Sequence, residues 1–430
     1  MTETLTVAIF VIAYILIATE KIHRVTAALG GAAAMVLIGV ADTHTAFFSE
    51  ETGVDWNVIF LLLGMMIIVG VVKQTGVFEY LAIWAAKRAG GQPFRVMVLL
   101  VVITAVASAL LDNVTTVLLV APVTLLVCDR IGNSAVPFLI AEAMASNIGG
   151  AATLIGDPPN IIIASRSGLS FNDFVLNLAP IIVVLMVVFI GMCKLMFGRQ
   201  LEYHPERVAE VMSLDERQAI RDPAMLVRCL VILGGVTIAF ALHSALHVEP
   251  AIVALLGAGA IIAVTQSPPE QFLEEVEWPT LVFFMGLFIM VGGLVEVGVI
   301  GDLGEKATEA AQGHYLAAST GLLFGSAVLS GLVDNIPYVA TMAPLTLDLV
   351  NAAPTPVEGN ALWWSLALGA DLGGNATAVG ASANVVVLGI AARNGVPISF
   401  WTFTKYGLIV ASVTVALSWP YVYLRYFVLG

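Results

Sequence analysis

Four aspartates, Asp112, Asp157, Asp334 and Asp371, stand in stretches that are otherwise apolar, each close to glycine, proline, asparagine or threonine. A carboxyl group in that setting can do two kinds of chemistry. With neighbouring amide and carbonyl oxygens it forms a hard-oxygen site for a cation such as Na+. Buried without a cation it favours the neutral acid and becomes a proton carrier. An Asp at mid-bilayer costs about 2.5–3.5 kcal/mol on insertion scales, so each of the four needs a partner or a purpose. Capping the start of a half-helix is the plainer purpose. An Asn would cap equally well at a lower desolvation cost, so proton or cation coupling is the stronger reading, and one residue can do both.

The residues around the four aspartates break helices. In the first part of the chain they are Asp112-Asn113-Val114-Thr115-Thr116 and Asn147-Ile148-Gly149-Gly150, followed by Thr153 and Gly156-Asp157-Pro158-Pro159-Asn160. In the second they are Asp334-Asn335-Ile336-Pro337 and Asp371-Leu372-Gly373-Gly374-Asn375, followed by Thr377, Gly380, Ser382 and Asn384. Glycine lets the chain leave helical geometry and proline removes backbone donors, so carbonyls and amides are freed as ligands. Irregular backbone at membrane depth is tolerated only where protein or a wet cavity surrounds it, which predicts that the breaks meet in one place. Taken singly, Asn113, Asn147, Asn160, Asn335, Asn375 and Asn384 read as interhelical hydrogen-bonding residues; as a symmetric set at helix breaks they read as the lining of a site.

Other chemistry-bearing residues point to less. Glu142 and Glu296 lie in apolar stretches away from the breaks, where structural pairing and a proton-relay role weigh equally. His23, His243, His247 and His314 fall at loop ends, and Cys128, Cys193 and Cys229 are isolated, without the spacing of a metal site. The glycine-rich stretches lack the strand and lysine of a phosphate loop, so neither nucleotide, cofactor nor nucleic acid is expected. Paired membrane aspartates also serve intramembrane proteases, but a Gly-x-Gly-Asp motif would need glycine where Leu154 stands.

The elements that must position these residues follow from composition and repetition. The chain has 430 residues, 59% hydrophobic and only 11% charged, against about 25% charged in a soluble domain. Apolar runs recur from end to end, so the whole chain lies in lipid. Its net charge of −13 comes mostly from loop acids, whose ordinary role is solvation. Sliding the chain along itself by 222 positions puts Trp56 on Trp278, Gly64 on Gly286, Asp112-Asn113 on Asp334-Asn335 and Ala121-Pro122 on Ala343-Pro344. With two more residues Asn147 falls on Asp371, Gly149-Gly150 on Gly373-Gly374, Thr153 on Thr377 and Asn160 on Asn384. The chain is therefore a duplicate: a repeat over 1–198, a charged linker over 199–223 and a second repeat over 224–430.

In the first repeat the apolar segments are about 5–20, 25–40, 57–75, 95–129, 135–166 and 174–197. The segment at 95–129 carries Asp112-Asn113 at its middle and either crosses twice or dips in and returns. In the second case each half crosses five times, the halves are inverted, and only Arg166, Lys306 and Arg425 of 18 lysines and arginines fall on one side. That asymmetry favours an all-α polytopic membrane protein of two inverted repeats, with about ten transmembrane helices, two re-entrant hairpins and broken helices. By the positive-inside rule the cation-rich side is cytoplasmic and both termini lie outside. Such repeats with mid-membrane breaks are the pattern of secondary transporters.

The run Ser146-Asn147-Ile148-Gly149-Gly150-Ala151-Ala152-Thr153-Leu154-Ile155-Gly156-Asp157-Pro158-Pro159-Asn160 resembles the signature of the ArsB/NhaD group of the ion transporter superfamily. That group includes arsenite/antimonite efflux permeases, sodium/proton antiporters and the melanosomal P protein. The likeness covers essentially the whole chain, in length, duplicated halves and paired Asp-Asn tips. It implies hairpin tips at Asp112, Asn113, Asp334 and Asn335, facing unwound segments at Asn147–Asn160 and Asp371–Asn384, and a homodimer with elevator-like movement. A compact chain of this length looks most like an arsenite permease of the cytoplasmic (inner) membrane, exporting arsenite or antimonite against inward protons. The alternative is a sodium/proton antiporter using the same aspartates. Arsenous acid is a small neutral triol that amides, hydroxyls and a proton-carrying Asp would suit, while carboxylates and carbonyls suit Na+ equally. Dicarboxylate uptake ranks third, because the break segments contain no Lys or Arg. The charged linker could dock a soluble ATPase subunit, although a solvated connector is its plainer reading.

Overall fold

The computed structural model describes residues 2–19, 21–213, 215–266, 268–311 and 313–429. Glu20, where the sequence ends its first helix, lies outside them. The first half runs α1 (Thr2–Thr19), α2 (Arg24–Leu37), α3 (Thr43–Phe47), α4 (Trp56–Gln74), α5 (Val77–Arg88), α6 (Pro93–Leu110), α7 (Asn113–Ile131), α8 (Val136–Gly150), α9 (Pro158–Ser167) and α10 (Phe171–Phe197). After the linker helix α11 (Pro205–Ser213) the same order returns. It runs α12 (Pro223–Leu246), α13 (Pro250–Thr265), α14 (Pro269–Glu274), α15 (Trp278–Glu296), α16 (Val299–Ala311), α17 (Tyr315–Leu332), α18 (Asn335–Asn351), α19 (Pro356–Gly373), α20 (Ser382–Arg393) and α21 (Phe400–Val422). Among the described residues there is no strand, and nine helices are long and apolar enough to cross a membrane.

Local chemistry sets the boundaries. Asp55, Ser170, Thr355 and Ser399 cap α4, α10, α19 and α21 through their side chains, satisfying amides that a helix start leaves free. Gly132 and Gly168 close α7 and α9 with φ of 73° and 70°, a left-handed conformation that side chains disfavour.

The helices form a frame and a bundle. In the frame each half's second helix packs on the other half's fourth: α2 on α15 and α13 on α4. Repeat-related glycines make both crossings close. A methyl group on Gly64 would stand 2.7 Å from the carbonyl carbon of Ala254, and one on Gly286 2.9 Å from that of Ala28. Small residues let helix backbones approach in this way where lipid offers no hydrophobic drive. In the bundle, α6 packs on α8, α17 on α19, α7 on α20 and α18 on α9.

The paired arms α6–α7 and α17–α18 are hairpins whose tips stop at the α8–α9 break. Asn113 at one tip and Asn335 at the other both reach Asp157, at 2.9 and 3.4 Å. The 15 residues of α8 and 10 of α9 span roughly 37 Å together, one crossing of a hydrocarbon core of about 30 Å. A break between them lies near mid-depth, and so do both tips. This geometry gives five crossings per half and two re-entrant hairpins.

Two expectations change. Short helices α3, α5, α14 and α16, absent from the sequence reading, join the membrane segments. The linker is also folded against the first half: Arg221 N–H donates to Thr75 O at 3.1 Å, Arg207 to Asp129 O at 3.1 Å, Lys87 pairs with Glu216 at 2.5 Å, and Asn133 and Glu202 exchange two bonds. Most of its described residues remain exposed, so it is a solvated connector laid against the first half.

Candidate functional site

The two breaks are shaped by matching hydrogen bonds. Ser108 Oγ donates to Ser146 O and its repeat mate Ser330 Oγ to Ala370 O, each at 2.6 Å. Thr153 Oγ1 donates to Ala109 O at 2.6 Å and Thr377 Oγ1 to Gly331 O at 2.7 Å. Asn160 and Asn384 donate back to the carbonyls of Thr153 and Thr377 at 3.0 and 2.9 Å. These bonds satisfy carbonyls freed where the helices stop. The turn is tight: a methyl group on Gly156 would stand 2.4 Å from Gly150 O.

Eight of the fifteen candidates from the sequence meet at one buried centre. Asn113 Nδ2 donates to Asn147 Oδ1 (3.1 Å) and Asp157 Oδ2 (2.9 Å). Asn147 Nδ2 donates across the repeat boundary to Asn375 Oδ1 (2.9 Å) and Asn384 Oδ1 (3.0 Å). Asn335 approaches Asp157 from the second hairpin. Asp371 lies near enough to Asp157 for their charges to interact, and beside Asn160. All eight are at most 2% exposed. Asp371 Oδ1 and Oδ2, Asn113 Oδ1 and Asn160 Oδ1 have no hydrogen-bond partner, nor has Asn375 Nδ2. Four bare acceptors and one bare donor in a sealed site carry a desolvation cost of about 1–3 kcal/mol each; a bound cation or proton would relieve that of the acceptors. Among the described residues no three His, Cys, Asp or Glu side chains group closely enough to hold a metal ion, so a cation here would rest on amide oxygens as well as carboxylates.

The other seven do different work. Asp112 turns back on its own helix and caps Thr115 N–H at 2.7 Å. Asp334 caps Ile336 N–H at 3.0 Å and accepts from Ser382 Oγ at 2.5 Å. The hairpin-tip aspartates are thus caps first, and the tip asparagines reach the centre. Thr153, Thr377 and Gly156 shape the breaks. Thr115 is half-buried and lines a cavity of about 180 Å³ with Lys73, Glu274, Glu275 and Glu277.

One residue at the site was not anticipated. Arg24, at the start of α2 in the frame, places Nη1 2.5 Å from Ser382 Oγ and 3.5 Å from Asp334 Oδ2, with Nη2 3.4 Å from Thr280 Oγ1. Its guanidinium lies 5.3 Å from the centre of the Phe283 ring, a supporting cation–π contact. The break segments themselves hold no Lys or Arg; the frame supplies one from 310 residues away. The only sequence signal was its place at the mouth of a span.

A family model described as citrate transporter (CitMHS) matches residues 14–369. The chain is 56% identical over 423 residues, 98% of each chain, to a Mycobacterium tuberculosis protein named as an uncharacterized transporter. It is 52% identical over 428 residues to the 46 kDa membrane protein of Mycobacterium leprae, covering 100% of both. The human P protein is 31% identical over 505 aligned positions, which take in 99% of this chain and 60% of that protein. Among solved structures, the Alcanivorax borkumensis YdaH transporter, whose topology is described as unusual, aligns over 85% of both chains with a TM-score of 0.56 and 15% identity, a likeness of fold. With four helix breaks closing on one buried polar centre and a family match over most of its length, the chain belongs to the citrate transporter family and is a multi-pass membrane transporter rather than an enzyme.

Proposed function

We propose that this protein is a secondary active transporter of the cytoplasmic membrane in which Asp157 and Asp371 bind the coupling cation, a proton or Na+, and the cargo is an organic anion of the citrate type. The observation that carries the coupling reading is the set of four bare, buried acceptors, the two Asp371 carboxylate oxygens and the amide oxygens of Asn113 and Asn160. An ionised pair without a cation is costly at this depth, so loading and unloading a cation changes the energy of the closed site by several kcal/mol. Direct amide–amide bonds of 2.9–3.1 Å cross the centre, so a polyatomic cargo would enter as the hairpin tips part.

Arg24 supports the anion. It removes the objection that no positive side chain attends the breaks, and a carboxylate on the cargo would compete with Asp334 for a guanidinium held at 3.5 Å. The family description agrees. Sodium/proton exchange without a third solute is the second reading, favoured by the oxygen-rich centre. Arsenite or antimonite export draws on the same amides, but the soft thiols that would mark it, Cys128, Cys193 and Cys229, are buried outside the centre.

The test is uptake into proteoliposomes of labelled citrate under imposed pH or Na+ gradients, with arsenite efflux and sodium-driven proton flux run in parallel. Gradient-driven citrate uptake lost in Asp157→Asn and Asp371→Asn supports the proposal. Sodium-linked proton flux alone replaces it with the antiporter, and arsenite movement alone with the efflux permease.

A further inference from the structure

Apart from Asp112, which caps its own helix, Glu142 is the one buried carboxylate among the described residues that the centre does not use. It lies on α8, 1% exposed, between the start of that helix at Val136 and Asn147 at the site. Thr124 Oγ1 on α7 donates to its Oε1 at 2.5 Å, while Oε2 has no partner. No cation pairs with it among the described residues. Of the elements packed against α8, α7 brings one titratable group, Cys128, close enough for the two charges to interact, and α6, α10, α19, α20 and α21 bring none. Glu296, the other acid noted in an apolar stretch, is exposed at the end of α15, and the repeat gives it no share in this arrangement. The position equivalent to Glu142 in the second half is Leu366, although the threonine is kept as Thr346.

The same α7–α8 seam runs to the centre. Along α7, Thr124 and Asn113 are eleven positions apart, which places them about 16 Å apart and within about 20° of one another around the helix. Between them sits Thr116, whose buried hydroxyl also lacks a partner. An apolar seam would need neither a bare carboxylate oxygen nor a bare hydroxyl, since each costs about 1–3 kcal/mol unpaired.

We infer that Glu142 is a proton-binding station on the α7–α8 seam, exchanging its proton with the Asp157/Asp371 centre. The step moves one proton: a carboxyl at the centre becomes a carboxylate and the Glu142 carboxylate becomes an acid, or the reverse. Net charge in the seam and centre together stays constant during the exchange. The inference rests on the coupling role given above to Asp157 and Asp371.

The experiment compares native protein, Glu142→Gln and Glu142→Asp in proteoliposomes carrying a trapped pH dye, with infrared titration of the protonated-carboxyl stretch on the same samples. Gln keeps an acceptor for Thr124 and holds no exchangeable acid, and Asp restores the acid. The station predicts a carboxyl band that is lost in Glu142→Gln, titrates with pH in native protein and moves its midpoint in Asp157→Asn. It also predicts proton turnover slowed roughly tenfold or more in Glu142→Gln, the low side of what a positioned acid–base group supplies, with recovery in Glu142→Asp. A band that does not titrate, or an unchanged pH profile in a folded Glu142→Gln protein, overturns it, because a purely structural acid behaves that way. If Asp157→Asn abolishes proton movement while Glu142→Gln leaves it native, the coupling centre stands and the station falls; a native protein that moves no protons removes the station and leaves the centre only as a Na+ site. Should Glu142→Gln fail to fold, the infrared titration of native and Asp157→Asn proteins alone decides the point.

Discussion

The α8–α9 break and the α19–α20 break descend from one sequence and keep one shape, yet they present different chemistry. The serine, threonine and asparagine bonds that fix the turns match within 0.1 Å on the two sides. At the mouth of the following half-helix the match ends. The first half has Asp157-Pro158-Pro159, a carboxylate followed by two residues without an N–H; the second has Ala381-Ser382-Ala383, no carboxylate and all its donors, with Arg24 alongside. Duplication has preserved what holds the backbone and changed the side chains at the mouth. Under the proposed function the first mouth would take the cation and the second the anionic group.

The comparison can be broken most directly at the carboxylates. Asp371→Asn should lower gradient-driven transport about 100-fold or more, the scale of losing a positioned proton carrier, while the protein stays folded. Moving the charge to its repeat mate, in the double variant Asn147→Asp with Asp371→Asn, should not restore it, because Asn147 donates two bonds, to Asn375 and Asn384, that a carboxylate has no hydrogens to make. Recovery of uptake in that variant would mean that the halves are interchangeable.

Arg24→Gln should weaken citrate half-saturation roughly tenfold, about 1.4 kcal/mol, and leave proton or Na+ dependence in place. An equal loss of both in the same transport assay would place the arginine in the coupling machinery instead. Ser108→Ala and Ser330→Ala should each cost about 1–2 kcal/mol, a buried bond to a carbonyl, and by nearly the same amount; unequal losses in thermal unfolding would show that one break carries more strain than its mate.

The smallest effect belongs to the linker, which has no counterpart in the repeat. The hydrogen bond from Lys87 holds the half-buried Glu216 carboxyl below its ordinary range. Its contribution is therefore present above the ordinary carboxylate pKa and lost as pH falls through the lowered value. Glu216→Gln should make the linker slightly more open to protease near neutral pH, with native and variant converging in acid; equal cleavage at neutral pH would show that the other linker bonds hold it unaided.

Much of this was legible in the sequence. The 222-residue repeat, the hairpins and the gathering of the breaks follow from glycine, proline and Asp-Asn positions, because helix breaking is local chemistry. Division of labour among the polar residues was not. Nothing in Asp112-Asn113 says that the carboxylate turns back to cap while the amide turns forward; that depends on rotamers set by packing. Arg24 was missed because its partners are 256 to 358 positions away, and α5 and α16 because short helices without a long apolar run resemble loops.

The crossed packing of the frame also sets a timetable for synthesis. Helix α4 is complete at Gln74, but α13, which covers its Gly64 face, begins only at Pro250. A nascent chain must carry that groove, backbone close to the surface, through the insertion of every intervening helix. The two halves are therefore repeats without being autonomous folding units. The first leaves the ribosome lacking a wall that the second supplies, and alone it should be unstable until the second is made beside it.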